Sequence, residues 1–289
     1  MSAGVRGARP SFGSATSPVF EPRVLEHPAF SVFEPLVLER LLALRRFPEP
    51  RELCGLTRGI ASSIEPWFAF AEQDDARLQA AGGFDALIAN SLHIPTRRAL
   101  HHDLLGALIW LHFPALKTEI HRLQLVSGAG SRSPLQNAAT HLDESGVLVV
   151  SSDSALFVAL ADLDWRGLFW DERERLLRTT RFLSFGHGLL DSLRAPHPRL
   201  MGKALCVHVS DAQLALGASA LRVLVDREAA PRLAEFLSEP ARLQPLPVLG
   251  VPAWSSGQTR EFYEDERYFQ RKRSRARPRV ARPWLGLNR

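Results

Sequence analysis

An α+β fold in one domain is the class this sequence predicts, with helices packed on a small mixed or antiparallel sheet. Three observations predict it. The chain has 289 residues, 45% hydrophobic and 23% charged, which is ordinary globular composition. Helical and strand-like segments are intermixed, without the strict βαβ alternation of a doubly wound sheet. Residues 138–151 read as an antiparallel hairpin: Ala138 to Leu142, a turn at Asp143-Glu144-Ser145-Gly146, then the β-branched run Val147 to Val150.

The elements follow in order. Residues 1–22 are Gly, Ser, Ala and Pro-rich and read as a disordered extension, with the domain over 23–270. Phe33 to Arg46 fits an amphipathic helix, with Leu36, Val37, Leu41 and Leu44 on one side and Pro48 beyond its end. Glu65 to Glu72 carries an aromatic stretch suited to a strand. Gln73 to Gly83 is polar and turn-like, and Phe84 to Asn90 is too short to assign. A helix is expected from Arg98 to His112. Pro114 suits the first position of another, running to Leu125. Ser127 to Ser133 is a Gly/Ser loop before the hairpin. Ser152-Asp153 caps a helix through Ala161 and Asp164 one through Arg178. Arg181 to Phe185 is a strand, Gly186-His187-Gly188 an elbow into a helix, and Lys203 to Val209 a strand. Leu214 to Leu237 is helical with a break at Pro231, and Leu246 to Trp254 is a Pro-rich connection.

Composition bounds the function. No apolar run reaches the roughly 18 residues of a membrane span. The N-terminal segment lacks the apolar core of a secretory signal. The two cysteines, Cys54 and Cys206, form no zinc or disulfide spacing and read as reduced thiols in a cytoplasmic protein. The chain's net charge of +5 is misleading, because residues 271–289 carry eight basic residues and no acid, leaving residues 1–270 at −3. The basic character therefore belongs to a disordered tail, with RNA contact through 271–289 as its functional reading and a solvated extension as its structural one. There is no GxSxG, GxxxxGK[ST] or GxGxxG, so no serine-hydrolase elbow, P-loop or Rossmann cofactor is indicated, and the cofactor is left unknown.

Chemistry concentrates in one stretch. Six of the ten histidines lie between His93 and His141. No two histidines are spaced as a helical metal pair, so the spacing supplies no metal ligands; only histidines converging from separate elements would make a site. His101, His112 and His121 read as helix-surface or structural residues. His102-Asp103 in the first turns of a helix, His141 on the hairpin and His187 at the elbow are the candidate acid, base or positioning groups. At a helix start His187 is biased toward neutrality, as a general base requires. Strand alternation puts Asn137, His141 and Asp143 on one face of the hairpin.

These strings also occur in a recognisable series: IPTRRALHHDLLGALIWLHFPALK, SPLQNAATHLDESGVLVVSSD, FGHGLLD, GKAL and PLPVLGVPAW. Together they resemble the bacterial DUF3025 family over roughly residues 30 to 270. The resemblance marks Thr96, Arg97, His102, Asp103, Asn137, Thr140, Asp143, Glu144, Gly146, Gly186, His187 and Lys203 as the family's characteristic positions. The family pattern carries Asn where this chain has Gly106 and Glu where it has Asp191. The resemblance implies no activity.

The leading expectation is a hydrolase-like enzyme with a polar cleft. His187 is its general base, His102, Asp103 and His141 are acid or positioning groups, and Arg97, Asn137, Thr140, Asp143, Glu144 and Lys203 contact a small anionic substrate. The alternatives are a non-catalytic ligand- or RNA-binding protein, using Arg97, Arg132 and the tail, and a structural or interaction module.

Overall fold

The computed structural model describes residue 20 and residues 22–60, 66–125, 132–270 and 283–287. After two short 3-10 turns at Pro22–Glu26 and Pro28–Val32 comes the α-helix α1 (Pro35–Leu44), where the amphipathic pattern put one. A small parallel pair follows, β1 (Ala69–Glu72) and β2 (His93–Thr96), joined through α2 (Asp75–Ala81) and α3 (Phe84–Ser91). The polar stretch expected to be turn-like is thus α2. Asp74 accepts hydrogen bonds from the Ala76 and Arg77 amides there, and Gly82 closes the helix with a left-handed cap.

Next come α4 (His101–His112) and α5 (Pro114–Leu125), split by Pro114 as expected. Most of α4 is buried, on all sides, which marks it as the central helix of the core. His112 locks the chain to it. Its Nδ1–H donates to the Leu108 carbonyl at 2.7 Å and its Nε2 accepts the Glu34 amide at 2.9 Å. Arg222 donates to the His112 carbonyl at 2.7 Å and to the Glu34 carboxylate at 2.5 Å. Burial, with Arg222 nearby, pushes the His112 imidazole down to about 3.

The hairpin is where structure and expectation part. Residues 134–145 are a helix, α6 (Pro134–Ser145), and only β3 (Gly146–Ser151) is a strand. Ser133 and Gln136 form a reciprocal capping box, with Pro134 in the first turn. Leu135, Ala138, Ala139 and Leu142 repeat at helical spacing and pack into the core. Asp143 to Ser145 is therefore the last helical turn, not a β-turn, and Gly146 is the C-cap in an extended conformation.

The remaining elements are α7 (Ser154–Ala161), a π-turn at Gly167–Asp171, α8 (Arg173–Thr179), β4 (Thr180–Ser184), α9 (His187–Ser192), β5 (Met201–His208), α10 (Asp211–Leu214), α11 (Ala218–Ala229), α12 (Leu233–Leu237), β6 (Gln244–Pro247), α13 (Arg260–Glu264) and β7 (Leu285–Gly286). The main sheet runs β4-β3-β5-β6, with β7 on β5. β3 pairs antiparallel with β4 and parallel with β5, and all six of its residues are buried between these neighbours and the flanking helices. β6, with Pro245 and Pro247, edges the first half of β5 and β7 the second. The sheet is mixed and the class α+β. The expectation for 1–22 falls mostly on residues outside those described, although the Phe20 ring packs 5.5 Å from Phe47. The tail expectation also falls largely outside, but residues 283–287 are described and join the fold: Leu285 and Leu287 are buried and Arg232 holds the Gly286 carbonyl. Two apolar side chains and a free strand edge outweigh the basic composition there. No helix among the described residues is long and apolar enough to cross a membrane.

Candidate functional site

A cleft of about 390 Å³ opens between β2, α3, α4, α5, α6 and the start of α9. Its chemistry comes from polar side chains carried mainly by helices. α4 contributes His102 and Asp103 from its first turn, and α5 contributes Lys117 and His121, one helical turn apart. α6 turns Thr140, Asp143 and Glu144 toward the cleft as one i, i+3, i+4 face, and α9 opens on His187.

The tightest cluster is His102, Glu144 and His187, each from a different helix. One potential ligand atom from each lies within 4.8 Å of the others. The two imidazole rings meet edge to face with centroids 4.5 Å apart. His187 donates its Nδ1–H to the Asp143 carbonyl at 2.9 Å, since a carbonyl can only accept. Its Nε2 then carries the lone pair and stands 3.7 Å from the Glu144 carboxylate. Burial, the largest effect, pushes the His187 imidazole below its ordinary value, with Asp143 opposing and Lys117 reinforcing. The Nδ1 of His102 lies 4.0 Å from Asp191, itself held by Arg194 at 2.9 Å. Gly188 makes this approach of α6 and α9 workable: a Cβ there would stand 2.5 Å from the Glu144 carboxylate and 3.0 Å from its carbonyl.

Behind the cluster, Lys117 and Asp143 form a buried ion pair at 2.5 Å, their side chains 3% and 10% exposed. Burial pushes the Asp143 carboxyl up, but the Lys117 ammonium, the largest opposing influence, outweighs it and holds the group down at about 2.

At the other side of the cleft, His121 donates Nδ1–H to Asp85 at 2.5 Å. With its nitrogen turned toward Asp85, the Gln124 amide donates to both carboxylate oxygens at 2.9 and 3.0 Å. The imidazole stacks on Trp110 at 5.1 Å and 8°, and the Lys117 ammonium lies 5.5 Å from the same indole. The Nε2 of His121 is buried and has no hydrogen-bond partner among the described residues.

Two arginines stand at the rim. Arg97 clamps Asp103 through its backbone amide at 2.7 Å and its guanidinium at 2.7 to 3.2 Å. Arg132 donates to Thr140 at 3.3 Å and has no carboxylate partner among the described residues.

The structure thus brings together Arg97, His102, Asp103, Thr140, Asp143, Glu144 and His187 of the residues singled out from the sequence. It does not bring in Asn137, His141 or Lys203. Asn137 and His141 are exposed on the side of α6 turned away from Asp143, a consequence of helical rather than strand geometry. Lys203 sits in β5 opposite Gly146 and Pro245, outside the cleft lining. Asp103 is engaged by Arg97 rather than by a histidine. Asp143, expected to shape a turn, is the buried partner of Lys117. Sequence reasoning missed Asp85, Lys117 and His121. The i, i+4 spacing of the last two on a predicted helix was the one available signal. It also named no metal ligands; the trio that suits an ion converges from separate helices, the route that spacing left open.

No curated protein and no solved structure matches the chain. A family model does match, over residues 68–273, and its description is "Protein of unknown function (DUF3025)". That match takes in every side chain of the cleft described above, and the chain belongs to the DUF3025 family.

Proposed function

We propose that the protein is a hydrolase and that the cleft is its active site. The observation that carries this reading is the Asp85–His121 pair, which leaves a buried Nε2, unpartnered among the described residues, in the same cleft as the His102, Glu144 and His187 cluster. A carboxylate on Nδ1 fixes the tautomer and leaves Nε2 as a proton acceptor, the arrangement a general base requires. His187, the base expected from the sequence, has its Nδ1 on a main-chain carbonyl and its Nε2 against Glu144, and belongs instead to the end of the cleft that receives the electrophilic centre.

In this reading His121 takes a proton from water. The water oxygen bonds to the acyl carbon or phosphorus, the bond to the leaving group breaks, and the leaving group takes the proton back from His121. Trp110, stacked on the ring, and Asp85, bonded to Nδ1, fix the position of the imidazole. Arg97 and Lys117 are neutralised by carboxylates, so Arg132 is the cation offered to an anionic substrate.

The test is a screen of the full-length protein against carboxyl esters, amides, phosphomonoesters and phosphodiesters. Wild type is expected to hydrolyse one class, with a loss of at least about 100-fold in His121→Ala, the scale of general base catalysis. Equal rates in the two proteins, with folding checked by circular dichroism, would remove the reading, as would inactivity across all four classes.

A further inference from the structure

We infer that His102, Glu144 and His187 hold a divalent transition-metal ion of the zinc class. The inference deepens the hydrolase reading, because it names what activates the electrophilic end of the cleft, and it rests on that reading only for its catalytic consequence.

The contact between His187 and Glu144 lacks a proton to bridge it. The proton on Nδ1 of His187 goes to the Asp143 carbonyl, so the Nε2 lone pair faces the Glu144 carboxylate at 3.7 Å, beyond hydrogen-bond length. Two electron-pair donors pointed at each other repel. A cation between them turns the repulsion into two bonds. His102 brings a third donor from the opposite helix, with ring centroids 4.5 Å apart.

The spacing fits. Ligands about 2.0 to 2.2 Å from a tetrahedral ion stand roughly 3.3 to 3.6 Å apart. The three donors here lie within 4.8 Å of one another, so side-chain rotations of about an ångström close the shell without moving a helix. Two imidazoles and one carboxylate suit zinc, cobalt or ferrous iron over magnesium or calcium, which prefer oxygen alone. Three protein ligands leave at least one position open toward the cleft, as catalytic rather than structural zinc sites do.

The support around the trio is of the kind that orients ligands. The Asp143 carbonyl sets the His187 tautomer, and Asp191 stands behind Nδ1 of His102 at 4.0 Å, anchored by Arg194. Gly188 leaves the space that the Glu144 carboxylate occupies. Glu144 has no Lys or Arg ion-pair partner among the described residues, so its charge is available to the ion.

The test is direct and needs no substrate. Full-length protein stripped with a chelator and exchanged into chelator-free buffer is titrated with Zn²⁺ by calorimetry, and with Co²⁺ by visible absorption. One equivalent is expected, with the d–d bands of a four- or five-coordinate Co²⁺. Affinity should fall at least about 100-fold in His187→Ala and in Glu144→Gln, and should be unchanged in His197→Ala, an exposed histidine outside the cleft. Glu144→Gln keeps the test open if His187→Ala fails to fold, since Glu144 is half exposed at a helix end. No stoichiometric binding to wild type, or binding that both ligand variants retain, overturns the inference. Hydrolysis that survives in the stripped protein would leave the hydrolase reading standing without the metal. One bound equivalent in a protein inactive on every class would do the reverse.

Discussion

Asp143 holds His187 through its main chain while its side chain is engaged elsewhere: the carbonyl takes the imidazole Nδ1–H at 2.9 Å, and the carboxylate takes Lys117 at 2.5 Å. One residue thus ties the end of α6 to both α5 and α9. Removing one partner of such a pair leaves a buried charge uncompensated, which costs about 3 to 5 kcal/mol. Lys117→Met is expected to lose stability on that scale by urea denaturation. The double variant Lys117→Met, Asp143→Leu should recover part of the loss, because an apolar replacement of the whole pair carries no unpaired charge. A double variant no more stable than the single one would show that the cost lies in packing.

Acid should act through His112. Its imidazole is held at about 3 in the folded state against an ordinary 6.5, so between those values the unfolded chain takes the proton first and stability falls as pH drops. Asp143, held at about 2, adds a further loss only below about pH 4. Asp226, which burial raises to about 6, works in the opposite direction between about pH 6 and pH 4, because there the folded state takes up its proton. Replacing His112 removes only the first contribution. Between pH 7 and pH 5 wild type is expected to lose about 2 kcal/mol more than His112→Gln. Parallel pH profiles for the two proteins would mean that His112 is not buried in its neutral form.

Gly188 is the space for a carboxylate. In Gly188→Ala the new methyl displaces the Glu144 side chain, the more mobile of the two groups it meets. The expected result is a metal affinity reduced by about 10-fold or more, with a melting temperature within a few degrees of wild type. An unchanged affinity would place Glu144 outside the ion's coordination shell.

The cap of α6 distinguishes a helix from a hairpin in solution. Ser133→Ala removes the oxygen that accepts the Gln136 amide, and N-cap losses cost about 1 kcal/mol. Urea denaturation should show that cost. Ser133 would lie in a loop before a hairpin, where the same change costs almost nothing.

The elements that the sequence made legible are those with a local cause. Pro114 separates α4 from α5, Asp153 caps α7, and the buried run Val147 to Val150 is a strand in any reading. α6 was misread because two local signals competed. Asp-Glu-Ser-Gly before a β-branched run resembles a hairpin turn, whereas the Ser133, Pro134 and Gln136 box lies seven to ten residues upstream of that turn and begins a helix reaching into it. The consequence reached the site, since the helical face is Thr140, Asp143 and Glu144 rather than Asn137, His141 and Asp143. The individual residues His102 and His187 carried their chemistry in plain view. Their contact did not, because it depends on how α4 packs against α9. The pairing of Asp85 with His121 is equally a product of tertiary packing.

Among the described residues the five-stranded sheet sends no side chain into the cleft, and β2 of the small parallel pair is the strand that lines it. Open α/β enzymes, by contrast, place their ligands at the strand ends of the main sheet. Here the main sheet and the lining of the cleft are different sets of residues, although α4 and the Lys117–Asp143 pair belong to both core and cleft. Stabilising substitutions usually tax activity where the two overlap. In this fold the edge strands β6 and β7 lie away from the cleft lining and can be altered as a stability dial that does not turn the chemistry, and relatives adapted to different temperatures are expected to differ there while keeping the helical cleft intact.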